Sequence, residues 1–390
     1  MHDIIIIGAG LAGSMAAACL GRAGYDVVLI ERNTEHPAEF AAEQIVGGQV
    51  NMFRRLGVLD SIVGNVQEIR HVEIARRGRI IGTIDEAHYG LSYRSMVQGA
   101  RHAIPRSVNK RLACVTEIRE TADAARVIRL ATGEAISARL IVLATGLKSW
   151  HALGFDRQMI ARNHSLSLGC DIEGPSYRNV LTYFPENLLD RIDYLTLFPM
   201  EGKLRANLFT YRKPNDEWVR LFKLSPGFYL DHRLPGLKSV IGDYLVSPKV
   251  EARAVSLYVT TGVNKNGLVV IGNAFQTSCP AVGSGIGRIA TDVDLLCNAY
   301  IPGWLKTPGM GWDKIEGFYR DPIKMAVDAE ALRAAAYRRA AATETGLGWR
   351  LHRGRVRLHR MLQKWAGVAL PASTPAPMAG GRSRGIGETS

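Results

Sequence analysis

Residues 3–7 read Asp-Ile-Ile-Ile-Ile and stop at Gly8. A β-branched run that is apolar at consecutive positions predicts a strand buried on both faces. It is followed by Gly8-Ala9-Gly10-Leu11-Ala12-Gly13, then an alanine-rich helical stretch over 13–22 and a second buried strand over 26–30 ending at the acid Glu31. This is a βαβ opening of about 30 residues. A G-x-G-x-x-G turn with a strand before it, a helix after it and an acid beyond the second strand predicts a dinucleotide site. Gly8 permits the tight turn, Gly10 lets the backbone approach a pyrophosphate, and Gly13 lets helix and strand pack closely. The helix N-terminus at Leu11 and Ala12 offers free N–H groups and about half a positive charge. Glu31, with Arg32 beside it, faces the ribose, and an acid there disfavours a 2′-phosphate. The turn alone does not separate FAD from NAD.

The 390 residues predict two to three domains. Composition is ordinary for a globular protein, with 47% hydrophobic and 22% charged residues, which excludes disordered and collagenous classes. No run reaches the roughly 18 apolar residues of a membrane span, and the N-terminus has no basic segment, so a secretory signal is not expected. Cys19, Cys114, Cys170, Cys279 and Cys297 are scattered, with no C-x-x-C pair. That pattern predicts no metal site and no disulfide framework, and points to a reducing, cytoplasmic setting. The net charge of +13 is uneven: from residue 331 onward eleven Lys and Arg face only Glu344 and Glu388. Basicity belongs to the tail, so nucleic-acid binding is not expected of the main fold.

Leu140-Ile141-Val142-Leu143-Ala144 and Gly267-Leu268-Val269-Val270-Ile271 repeat the buried-strand pattern, each ending in small residues. Between them, over roughly 160–260, alternating segments such as 194–198 and 204–209 flank the turn Met200-Glu201-Gly202-Lys203 and predict a largely antiparallel sheet. Residues 284–300 and 312–342 read as helical, 349–366 as a basic helix, and 369–390 as disordered.

A second glycine turn, Gly272-Asn273-Ala274, precedes Cys279-Pro280-Ala281-Val282-Gly283-Ser284-Gly285-Ile286-Gly287 and, further on, Asp292. Here the chain resembles the FAD-dependent monooxygenases of the aromatic-hydroxylase, squalene-epoxidase and styrene-monooxygenase type. In that superfamily a late G-D-A segment meets the flavin ribityl chain, and a P-x-x-G-x-G run starts a helix aimed at the flavin pyrimidine edge. The resemblance assigns Gly272, Asn273, Pro280, Gly283, Gly285 and Ile286 to cofactor binding. A helix N-terminus aimed there stabilises the negative charge of the reduced flavin. A nicotinamide enzyme has no need of this second turn, so FAD is preferred. Gly47-Gly48-Gln49-Val50-Asn51 resembles the segment that passes over the flavin, which adds Gln49. Tyr93-Arg94-Ser95-Met96-Val97 resembles an R-x-x-L motif, which adds Arg94 as a cofactor ligand, or else a solvated surface arginine.

The resemblance implies an α/β fold: a Rossmann-like FAD-binding domain (GR2-type), an inserted mostly antiparallel β-sheet substrate domain and a helical C-terminus. The expected FAD-binding parts are 1–75, 100–160 and 262–300. The substrate domain is 76–99 and 161–261, the helical region 301–368, and the tail 369–390. It also implies oxygen transfer from a flavin C4a-(hydro)peroxide to an apolar or aromatic substrate. The alternative is FAD-dependent reduction of an isoprenoid-like C=C bond. NAD(P)H is the implied electron source. Thr145, in Ala144-Thr145-Gly146-Leu147-Lys148-Ser149, replaces the Asp of the superfamily's D-G-x-x-S-x-x-R motif, and no Arg follows at that spacing. Electrons therefore arrive either directly or through a flavin reductase. Asn273 stands where the family has Asp; it keeps a hydrogen bond but loses a charge.

No catalytic residue is identified. His71 and His164 are candidate bases, or else structural or exposed side chains, which is the more ordinary role. Tyr183, Phe184, Tyr194, Phe198 and Phe209 lie on the middle sheet, shaping a substrate pocket or simply packing its core. The basic segment 350–365 is either a solvated face or a peripheral contact with an anionic membrane at its inner face.

Overall fold

The computed structural model describes residues 1–120, 126–147, 153–186 and 190–351. Lys148, Ser149, the basic segment beyond Leu351 and the expected tail 369–390 lie outside the described residues.

The isoleucine run forms the strand His2–Ile7 at the centre of a seven-stranded sheet. It pairs in parallel with Val27–Glu31 on one side and Ala135–Leu143 on the other. Asn109–Leu112 and Leu268–Val270 extend the parallel part, and the hairpin Val115–Glu120 and Arg126–Leu130 joins antiparallel. Alternation divides the run between two cores. Ile4 and Ile6 face a helical layer, whereas Ile5 and Ile7 pack with Ile128, Leu130, Leu153 and Phe155 on the other face. Burial on both faces explains why every position of the run is apolar.

The helix Leu11–Arg22 lies on the first of these faces, its alanines letting it approach the sheet closely. Tyr93–His102, Gly285–Asp294, the π-helical turn Leu295–Tyr300 and Trp312–Tyr319 complete the helical layer. The long helix Pro322–Thr343 begins at an Asp321 cap whose side chain accepts the N–H groups of Ile323 and Lys324. Residues 347–351 form a separate helical turn.

The middle of the chain builds a second, nine-stranded sheet. Its centre is Asp156–Glu173, Lys203–Thr210, Ile192–Met200 and Val180–Tyr183, joined antiparallel. Glu251–Thr261 pairs with the first of these. The sheet also takes Gln44–Val46, Ile69–Arg76 and Arg79–Gly90, so it draws on residues earlier than 76. Within 161–261 the mostly antiparallel sheet also carries, among the described residues, three helices not placed from the sequence. Glu217–Leu224, Pro226–Arg233 and Leu237–Ile241 are helices. Asp216 caps the first through Trp218 N–H at 2.9 Å, Pro226 starts the second, and Trp218, Val219 and Phe222 fall on one helical face buried against the sheet.

Candidate functional site

The two glycine turns, about 260 residues apart in sequence, open into one cavity of about 380 Å³. The first turn is fixed by sterics. Gly8 has φ +99°, and a Cβ on it would lie 2.7 Å from Ala144 O; a Cβ on Gly13 would lie 1.9 Å from Gly8 O. Gly10 has open space around it and N-caps the helix Leu11–Arg22 without a side-chain cap and without an acid in the first turn. Its helix N-terminus therefore presents unsatisfied donors to the cavity. Glu31 accepts the N–H of Ala9 at 2.8 Å and those of Arg32 and Asn33 at 3.0 Å, which ties the end of the second strand to the turn.

The second turn mirrors the first. Pro280–Val282 winds as a 3₁₀ turn into Gly283, left-handed at φ +72°, and Ser284 begins the helix Gly285–Asp294, again with no side-chain cap and no first-turn acid. Gly272 has φ +63°, and a Cβ on it would come within 3.0 Å of the Ala12 side chain, so the two turns close on each other. A buried ion cluster braces this turn. Asp292 accepts the Gly272 N–H at 2.8 Å and Lys324 Nζ at 2.7 Å; Arg288 and Asp328 complete the cluster. Gln49 crosses from the helix Gly48–Arg55 and donates Nε2 to Gly283 O at 2.9 Å.

The segment between Arg32 and Val46 covers part of the cavity, and the second sheet adds a wall through Ser167, Asn207, Phe209 and Val255, with Cys279 next to them. Glu43 sits here, buried and gripped by Arg205 through two hydrogen bonds of 3.0 Å. Burial lifts its carboxyl above the usual value, against the pull of Arg205.

Gly8, Gly10, Leu11, Ala12, Glu31, Arg32, Gln49, Asn273, Pro280, Gly283, Gly285 and Ile286 all line this cavity. Gly13 and Gly272 stand behind it as packing points. Arg94 is exposed and pairs with Glu35. Of the middle-sheet aromatics, only Phe209 reaches the cavity. Tyr183 is buried in the sheet's core and Phe198 in a neighbouring cluster. Tyr194 bonds Ala281 O at 2.8 Å and packs near Phe209 and Phe184. His71 is exposed on its strand. His164 is buried under Arg339, and its imidazole is pushed down to about 4 by burial and by that arginine.

Several residues that organise the site carry no motif. Arg101 donates Nε to Ala9 O at 2.8 Å, seven residues beyond the expected Arg94. Arg157 reaches the Gly146–Leu147 turn, donating to Leu147 O at 3.1 Å, so an arginine meets this turn from the following strand. Lys324 and Asp328 come from the long helix Pro322–Thr343, which the sequence marks only as helical. Among the described residues no cluster of His, Cys, Asp or Glu is arranged to hold a metal, and no helix is long and apolar enough to cross a membrane.

These features fit a flavin nucleotide. Two uncapped helix N-termini face one cavity, and buried polar atoms on or beside it, Thr145 Oγ1 and Ser284 Oγ among them, have no hydrogen-bond partner.

Residues 1–299 match the family described as FAD binding domain. Squalene monooxygenase of Mus musculus is 22% identical over 323 residues, 75% of this chain and 54% of that protein. The chain spans about half or less of the length of the curated relatives it matches. Among solved structures, p-nitrophenol 4-monooxygenase PnpA from Pseudomonas putida superposes with a TM-score of 0.72 at 14% identity, over 94% of each chain. A variant of Klebsiella pneumoniae HpxO complexed with FAD gives 0.70 at 16% identity, over 93% of this chain and 95% of that one.

Proposed function

The chain belongs to the FAD binding domain family, and we propose that it is an FAD-dependent monooxygenase that inserts one atom of O2 into an apolar or aromatic small molecule. The observation that carries this reading is the shared cavity: two uncapped helix N-termini enter it from the Rossmann-like side, and an antiparallel sheet closes it. The turn at Gly10–Ala12 holds the diphosphate, with Glu31 at the adenosine ribose. Asn273 reaches the ribityl chain, and the Gly283–Ile286 N-terminus faces the flavin ring. Bound there, FAD supplies reduction and oxygen activation. The protein's part is to orient the ring, offer positive potential to its reduced form and keep bulk water away from it.

Electrons come from NAD(P)H, directly or through a flavin reductase. Thr145 in place of the family's Asp favours the second route. The oxygen electrode tests the reading. Substrate-dependent O2 uptake, with NADH or NADPH and with a flavin reductase added or omitted, is the expected result. Flavin reoxidation by an alkene without O2 uptake overturns it in favour of C=C reduction.

A further inference from the structure

The wall that the second sheet gives to the cavity is polar in a specific way. Ser167 on Asp156–Glu173 lies directly opposite Phe209 on Lys203–Thr210, and Asn207 is two residues before Phe209, on the same face. All three line the cavity, and Ser167 and Asn207 are only 5% and 6% exposed. Asn207 Nδ2 donates to Glu43 Oε2 at 2.9 Å. In its ionised form, paired with Arg205, that carboxylate only accepts, which sets the orientation of the amide. Asn207 Oδ1 therefore points away from Glu43, and it has no partner; Ser167 Oγ has none either. Buried polar atoms of this kind are rarely left unsatisfied, and an acceptor fixed in place by an ion pair behind it is a preset recognition point.

Resting on the function proposed above, the geometry points to Asn207 and Ser167 as specificity-determining residues for a substrate that carries one hydrogen-bond donor, a hydroxyl or N–H, on an otherwise apolar body. The donor meets Asn207 Oδ1 with Ser167 Oγ as its diagonal neighbour. Phe209, Val255 and Cys279 cover the apolar body. A pure hydrocarbon leaves both polar atoms without partners and is discriminated against.

Indole and 1-methylindole test this, because they differ in the donor while the methylated ring is the more hydrophobic. The chain is loaded with FAD, its flavin content is counted from the absorption spectrum, and each probe is titrated calorimetrically. Indole is expected to bind at least about tenfold more tightly. Asn207→Ala brings the ratio close to one, and Ser167→Ala lowers it, with flavin content unchanged in both. Four results overturn the inference: equal affinities, no indole binding, a ratio unmoved in both variants, or variants that lose FAD instead of the discrimination, which would place these atoms against the cofactor. Failure of the flavoprotein reading shows separately, as absence of flavin from the unsubstituted chain.

Discussion

Gly272 donates its backbone N–H to Asp292 Oδ2 at 2.8 Å, which binds a turn of the Rossmann-like sheet to the helix that starts at the second glycine motif. The other oxygen of this carboxylate receives Lys324 Nζ at 2.7 Å, from a helix further on. Arg288 and Asp328 balance the charges, and Phe275 and Phe318 lie against the ammonium. The position of the Gly272 turn thus depends on a salt-bridge cluster in which Arg288, Asp292 and Lys324 are nearly inaccessible to water. Such a cluster is weak as a source of net stability and strong as a constraint on geometry, because breaking it leaves a buried charge.

Lys324→Met removes one cation and leaves the Asp292–Asp328 pair with Arg288 alone. The expected loss is about 3–5 kcal/mol of folding stability. Urea unfolding with and without added FAD measures it, and FAD affinity falls in parallel because the Asp292 carboxylate that holds the Gly272 turn loses its lysine anchor. A change under about 1 kcal/mol with unaltered FAD binding contradicts this role.

Gly10 and Gly13 separate binding from folding. A Cβ at Gly10 meets nothing within 4 Å, so Gly10→Ala is expected to fold normally and to bind FAD at least about tenfold more weakly, through crowding of the pyrophosphate. A Cβ at Gly13 meets Gly8 O at 1.9 Å, so Gly13→Ala is expected to destabilise the chain itself, by roughly 1–3 kcal/mol from overpacking. Thermal unfolding of the FAD-free proteins distinguishes the two, and equal melting temperatures for both variants would refute the assignment.

His164 makes stability depend on pH. Its folded-state value, about 4, lies below the ordinary 6.5, so the unfolded chain binds the proton more readily. Stability from this group is present above about 6.5 and is lost as pH falls toward 4. The loss reaches up to about 3 kcal/mol. His164→Gln is expected to flatten that part of the curve of urea midpoint against pH; an unchanged slope between 6.5 and 4 rules it out.

Much of this site was legible in sequence because backbone demands leave residue signatures. Gly8, Gly13 and Gly283 occupy positions where a side chain clashes or the backbone is left-handed, and the β-branched Ile4–Ile7 run stopped by Gly8 fits a strand covered on both faces. What stayed hidden depends on tertiary meetings of common residues. Arg101, Arg157 and Lys324 act through their reach to carbonyls or carboxylates on other elements, and no local spacing marks them. Tyr183 and Phe198 alternate as a pocket face would, yet core packing and a cavity wall impose the same period of two. The helices between 217 and 241 are hard to see among the surrounding strands, although Asp216 and Pro226 carry the signals that start two of them.

If both glycine turns hold one FAD, the purified chain must carry it or take it up. The direct measurement is the absorption spectrum of the purified chain, followed by denaturation and identification of the released flavin. Oxidised-flavin bands are expected, with FAD at close to one per chain, either as purified or after reconstitution. A chain that takes up no FAD from a large excess, while folded by thermal and spectroscopic criteria, contradicts a shared flavin site.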